Sequence, residues 1–402
     1  MINFRKRIAA TVLACCTAGS LCTGLPHAHS VSELTAQAAG TYQVEALNRG
    51  ISAVSTGSGM LVSWRFLAND PDQTVFRLYR DNQLIYTSEQ NMATCYLDAG
   101  GSAASAYRVD AVVDGKVVNS STCTMQSGAA YFDLPLDQPT SSGCTYSPND
   151  CTVGDVDGDG EYELFVKWDP SNSQDNSKAG KTDKVYIDCY KFNGKKLWRI
   201  DLGYNIRAGA HYTQMLVADF DLDGKAELTC KTADGTKDGT GKVIGDGSKT
   251  YRNSKGYILD GPEYYTLFDG ATGAALDTVN YNPPRGTVSS WGDKYGNRCD
   301  RYLGAVAYLD GERPSAITVR GYYTRMTACA YDVVNKKLVQ RWFFDSGNSS
   351  SSPGYGDGNH NCMPADVDND GIDRKCVRTE TAHDLAVKEH GEHAHRDINN
   401  EA

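Results

Sequence analysis

The chain has 402 residues, of which 22% are charged and 40% hydrophobic, with a formal net charge of -10 and thirteen cysteines. That length exceeds one ordinary domain, and the clustered acidic surplus argues against nucleic acid as a partner. Three cysteines fall within the first thirty residues and the other ten lie singly, several in apolar runs, with no C-x-x-C pair, which speaks against both a dense disulfide framework and a zinc site.

Residues 1–30 read as an export signal. Arg5, Lys6 and Arg7 give a basic start, Ile8 to Leu25 carries no charge, and Pro26-His27-Ala28 offers a small-residue cleavage site. The secreted, extracellular destination this implies has one alternative, a lipoprotein anchor at Cys15 after Val12-Leu13-Ala14. No later stretch is apolar enough to span a bilayer. Oligomeric state leaves no mark on the sequence.

After a linker near Leu34 to Gly40, short alternating segments begin, at Met60 to Phe66, Val75 to Tyr79 and Tyr107 to Val113. Asp81-Asn82 and Asp114-Gly115 supply turns between them. The first domain is expected over 42–126 as a β-sandwich that resembles a fibronectin type III module.

From 131 the chain repeats itself. Val153-Gly-Asp-Val-Asp-Gly-Asp-Gly-Glu-Tyr-Glu-Leu-Phe-Val-Lys167 returns as Val217-Ala-Asp-Phe-Asp-Leu-Asp-Gly-Lys-Ala-Glu-Leu-Thr-Cys-Lys231. A worn copy runs from Val306 to Arg320, and another starts at Ala365-Asp-Val-Asp-Asn-Asp-Gly371. Strand-turn-strand patterns follow the first three. A loop plus about four strands per unit predicts the blades of a β-propeller over 131–371, incomplete as it stands. The fold class is therefore all-β.

The loops carry the clearest chemistry. Asp155, Asp157, Asp159 and Glu163 place oxygen ligands at the first, third, fifth and ninth positions of a tight turn, with the carbonyl of Glu161 at the seventh. Asp219, Asp221, Asp223 and Glu227 repeat the spacing, with the carbonyl of Lys225. Crowded oxygen donors suit Ca²⁺. The bland alternative is a solvated acidic turn, and a subtler one is calcium that serves structure alone. Asp366, Asp368 and Asp370 start a further loop, but Arg374 stands at its ninth position, where a cation would repel the metal.

Longer stretches carry a family resemblance. They include Tyr146-Ser-Pro-Asn-Asp150, Lys167-Trp-Asp-Pro-Ser-Asn172 and Arg207-Ala-Gly-Ala-His-Tyr-Thr-Gln214. Lys231-Thr-Ala-Asp-Gly-Thr236, Ser290-Trp-Gly-Asp293 and Gly358-Asn-His-Asn361 belong with them. From about Val44 to Gly371 the chain resembles the bacterial rhamnogalacturonan lyases with an eight-bladed propeller. The resemblance implies calcium-assisted β-elimination within rhamnogalacturonan I, the branched, rhamnose-galacturonate part of pectin. It also implies sugar contacts at Asn149 and Asp169 and a metal-coordinating role for His360; it assigns none to His211 and names no base.

Beyond Gly371 the family-like motifs thin out. Residues 372–402 are polar and hold His383, His390, His393 and His395, half of the eight histidines. A frame shift or truncation near that point is the expectation, and with it an inactive chain. The competing class is a non-catalytic, calcium-dependent carbohydrate-binding or adhesion propeller, whose loops look alike but which has no need of the longer motifs.

Overall fold

A computed structural model describes residues 42–358, 360–366 and 371–373, together with the backbone of 374–378, 383–387 and 393–397. The expected export signal and Cys15, as well as Asp368, Asp370 and the side chains of Arg374 and the four C-terminal histidines, lie outside the described residues. Apart from one short 3-10 turn, Val288–Trp291, the described elements are all strands, and no described helix is long and apolar enough to cross a membrane. The nine described cysteine side chains are free thiols. The chain divides into two compact units, one holding Arg49–Phe132 and the other Gln37–Asn48 with Asp133–Ala402.

The first unit contains β1 (Ser52–Ser55), β2 (Met60–Ser63), β3 (Val75–Arg80), β4 (Gln83–Thr87), β5 (Cys95–Asp98), β6 (Tyr107–Val113), β7 (Lys116–Thr122) and β8 (Met125–Ser127). They form two four-stranded sheets, ordered β5-β2-β1-β8 and β4-β3-β6-β7. The period-two pattern of each strand sends one set of side chains inward. Ala53, Met60 and Val62 of one sheet meet Phe76, Leu78, Val109 and Ala111 of the other in a single core. Asp81 and Asn82 both take positive φ (51° and 66°), as do Asp114 and Gly115 (49° and 78°). Two such residues in a row make the tight turn whose twist matches a hairpin.

The second unit is a succession of antiparallel meanders. β9 (Tyr146–Gly154), β10 (Glu163–Pro170), β11 (Tyr186–Lys191) and β12 (Lys196–Asp201) pair in chain order, and so do β13 (Leu216–Ala218), β14 (Glu227–Ala233), β17 (Glu263–Phe268) and β18 (Ala275–Asn280). Between β14 and β17 a small hairpin, β15 (Thr236–Lys237) and β16 (Val243–Ile244), reaches back to pair with β12. A third sheet holds β19 (Tyr302–Ala307), β20 (Ser315–Arg320), β21 (Thr327–Val334) and β22 (Lys337–Asp345). The fourth holds β23 (Met363–Ala365), β24 (Arg374–Arg378), β25 (His383–Val387) and β26 (His393–Asp397). The sequence beyond Gly371 carried no strand expectation. The backbone there continues the pattern nonetheless, because the open edge of β23 is a template for pairing.

Successive sheets bury their faces against one another. Phe165, Ile187, Trp198 and Ile200 of the first pack with Leu228, Cys230 and Phe268 of the second. Tyr265 and Leu267 of the second pack with Tyr302, Ala316, Cys329 and Tyr331 of the third. A strand covered on both faces reads as a nearly continuous apolar run rather than an alternation. All six residues of β20 are buried.

Candidate functional site

The meanders share a direction, and that fixes where chemistry gathers. β9, β13, β19 and β23 each run from one end of the unit into a turn, and β10, β14, β20 and β24 return from it. The acidic turns therefore lie at one end of these hairpins. The residues before β9, β13, β19 and β23, and after β10, β14 and β20, lie at the other. From Glu163 to Asp169 the separation is six strand residues, roughly 20 Å.

At the turn end, Asp155, Asp157 and Glu163 offer carboxylate oxygens all within 4.8 Å of one another, and Asp219, Asp221 and Glu227 do the same. Local backbone explains both clusters. Asp155 accepts the N–H groups of Gly158 and Gly160 at 2.7 Å each, while Glu163 accepts that of Val156 at 2.9 Å. In the second turn Asp219 accepts from Asp223 and Gly224 at 3.0 Å, and Glu227 from Phe220 at 2.9 Å. The Ala226 amide donates to the Asp155 carbonyl at 2.7 Å and ties the turns together.

Their neutralisation differs. Lys191, opposite Glu163 across β10 and β11, places its ammonium 2.7 Å from Asp157, 3.0 Å from Asp159 and 3.3 Å from Glu163. Those contacts, Asp157 foremost, raise the lysine pKa. Burial favours the protonated form of Asp159, but the Glu161 amide and Lys191 outweigh it and hold this carboxyl below its ordinary value. In the second turn the nearest cation is Lys336, 3.6 Å from Asp223 and 3.9 Å from Asp221. Burial first, then repulsion from Asp221, pushes Glu227 up to about 9. Burial first, then Asp223 and Glu45, takes Asp219 to about 6. Glu45 belongs to segment 42–48, whose backbone bonds to Gly160 and Glu312 at the same end. The donor set is all oxygen, compact and largely buried, which fits a hard divalent cation. Glu161 and Lys225 flank these clusters, and their amides cap Asp159 and Asp223.

The worn third turn manages without such a cluster. Tyr308 replaces the first aspartate, and the remaining Asp310 lies 3.3 Å from Arg313 and 3.6 Å from Arg341. In the fourth turn Asp366 accepts the Gly371 amide at 3.0 Å.

At the opposite end, residues from far-separated segments converge. The Lys167 side chain is 1% exposed and paired with Asp150. Asp169 lies two residues further on; burial raises its pKa, and its Oδ1 has no hydrogen-bond partner. His211 Nε2 is 3.5 Å from Asp175 Oδ2, and the other Asp175 oxygen is buried without a partner. Burial, then Arg301, lowers the His211 pKa, and His360 and Lys167 act in the same direction. The rings of His211 and His360 are 6.3 Å apart, and His360 Nε2 lies 2.7 Å from the Tyr323 hydroxyl. Arg301 stacks on Tyr322 at 4.3 Å and donates to its hydroxyl at 3.0 Å.

The structure thus brings Asp169 and His360 to one end and the loop carboxylates to the other. Asn149 is exposed on β9 beside Asp150. Sequence reasoning passed over Lys167, Asp175, Arg301, Tyr322 and Tyr323. Lys167 lay inside a quoted motif, but only the pairing of β9 with β10, which bulges at this lysine, brings it to Asp150.

Residues 131–396 match "Rhamnogalacturonan lyase family 11, C-terminal domain", and residues 42–126 match "Rhamnogalacturonan I lyases beta-sheet domain". The Bacillus subtilis rhamnogalacturonan endolyase YesW is 51% identical over 381 residues, 93% of this chain and 60% of its own. The rhamnogalacturonan exolyase YesX of the same organism is 52% identical over 82% of this chain and 55% of its own. The crystal structure of YesW superposes with a TM-score of 0.80 over 88% of this chain, and that of a Bacillus licheniformis rhamnogalacturonan lyase with 0.81 over 89%. The chain spans about three fifths of the length of these relatives.

Proposed function

The chain belongs to rhamnogalacturonan lyase family 11, and on that footing we propose that it binds rhamnogalacturonan I at the histidine-lined end of the second unit and serves its cleavage by β-elimination. The observation that carries this reading is the meeting of His211, Arg301 and His360, with the buried Lys167 nearby, at one end of the sheets of an otherwise acidic chain. A uronate polymer needs cations in reach, and charge-assisted hydrogen bonds to its carboxylate hold the ring. Asp169 and Asp175 lie at the same end, and their carboxylates would accept sugar hydroxyls there. In the elimination a base takes the galacturonate proton at C5 and the 4-linked oxygen leaves, so charge builds on the carboxylate, where Arg301 would meet it. His211, kept neutral near pH 7, leaves that positive field to the permanent cations.

In this reading the acidic turns hold Ca²⁺, one ion in each of the Asp155 and Asp219 clusters, with the carbonyls of Glu161 and Lys225 as further ligands. Bound calcium would neutralise packed carboxylates and fix the hairpin turns. The strand's length between these turns and the histidine end makes their role structural. The meanders are blades of a β-propeller, the first unit is a fibronectin type III-like sandwich, and the protein is exported.

The test is to incubate the chain with rhamnogalacturonan and calcium and follow the ultraviolet absorbance of the unsaturated uronate. Rising absorbance supports the lyase reading. Retention of the polymer without new absorbance favours a binding module, and no retention contradicts both.

A further inference from the structure

We propose that a cavity at the same end of the second sheet is a further sugar subsite, shaped for the neutral deoxy sugar of the polymer rather than for its uronate. The inference rests on the rhamnogalacturonan reading. The cavity has a volume of about 630 Å³ and is framed by the start of β17 and the end of β18, within the range of small-molecule sites. Register places it. Ala233 pairs with Glu263 and Tyr264 with Asn280, at the ends of these strands away from the 219–227 turn.

The lining is divided. Leu259, Pro262 and Pro284 supply apolar surface, whereas Asp260, Asn280 and Asn282 supply hydrogen-bonding groups. A 6-deoxy sugar has the matching halves, a methyl group to bury and hydroxyls to satisfy.

Charge argues against a uronate here. The cationic lining residue is Arg285, which is 6% exposed and already engaged. Its guanidinium donates to Glu263 Oε1 at 2.8 Å and to the Asp260 carbonyl at 3.2 Å. Behind it, Lys231 and Arg320 also close on Glu263, at 2.9 and 2.8 Å. One carboxylate thus holds three cations turned inward, and the exposed charge at the rim is that of Asp260. A second carboxylate brought into this space would meet a like charge. The histidine cluster has the opposite character, with the half-buried Arg301 close to His211.

A shared polar network backs both places. Asp300 receives Arg320 at 3.3 Å on one side and Asn176 Nδ2 at 3.3 Å on the other. Asn176 follows Asp175, the partner of His211. An alternating polymer laid over this end has a cation-rich site for one sugar and a cation-poor, part-apolar cavity for the other.

The experiment is calorimetric titration of the calcium-loaded chain with a rhamnogalacturonan oligosaccharide and with an oligogalacturonate of equal length. Substituting Asp260→Ala together with Asn280→Ala, both exposed positions, should weaken the rhamnogalacturonan ligand about tenfold, as expected for one or two lost hydrogen bonds. Oligogalacturonate affinity should not change. Unaltered affinity for both ligands, or equal loss for both, overturns the subsite and leaves the family reading standing. Failure of the unsubstituted chain to bind rhamnogalacturonan overturns both.

Discussion

The 155–163 and 219–227 turns have the same carboxylate spacing and the same backbone caps, yet they are balanced differently. Opposite Glu163 stands Lys191. One step on from the Leu228–Phe268 pair, the residue opposite Glu227 is Asp269, whose charge adds to the strain on Asp221. At the fourth position of the turn Gly158 takes φ 79°, whereas Leu222 is forced to 64° in its counterpart, a conformation that costs a residue with a side chain about 1–2 kcal/mol. The first turn supplies part of its own counter-charge; the second depends on a cation from outside. The third turn completes the series, with Arg313 and Arg341 about Asp310.

The largest effect that can break this comparison is removal of the cation. Chelation should lower the melting temperature of the second unit by about 10 °C, the equivalent of about 4 kcal/mol of linked binding, as read by calorimetry. An unchanged transition would mean that neither turn holds a cation.

The pH dependence of the metal-free chain sharpens it. Glu227 at about 9 and Asp219 at about 6 lie above their ordinary values of 4.5 and 3.8. The folded chain then binds more protons than the unfolded one across that window. Stability is complete below the ordinary values and falls as pH rises through about 6 and towards about 9. Melts in chelator at pH 5.5 and 8 should show the loss, and calcium should remove it.

Paired substitutions come next. In chelator at pH 8, Glu227→Gln spares the fold the proton that this buried carboxyl must take up and should stabilise by at least about 1 kcal/mol, while Glu163→Gln, whose burial Lys191 partly offsets, should gain less. Denaturant unfolding reads the two gains, and equal gains would erase the distinction. The smallest effect is at Gly158. A Cβ there would meet Lys225 Cε at an ordinary 3.6 Å, so Gly158→Ala should cost only the backbone strain, about 1 kcal/mol.

The carboxylate clusters were legible because each is written within nine consecutive residues, and the turn glycines and following apolar strand frame it. Lys191 was not, since only the pairing of β10 with β11 brings it to Glu163. The histidine end was less legible still. Asp150 and Lys167 sit on β9 and β10, whereas Asp175, His211, Arg301, Tyr323 and His360 belong to separate connections, and nothing in their spacing announces that the meanders turn them to one end. The strands were visible as alternation where one face is only half-buried, as in β3, and as apolar runs where both are covered, as in β20. Strands β24 to β26 were not visible, because their residues follow neither pattern.

The most direct test is the affinity of the calcium-loaded chain for a rhamnogalacturonan oligosaccharide after one change at each end. Arg301→Gln at the histidine end should weaken binding about tenfold or more, as loss of a charge-assisted contact does. Lys191→Met at the turn end should leave it unchanged. Binding that survives Arg301→Gln but fails with Lys191→Met would contradict the assignment of the polymer to the histidine end.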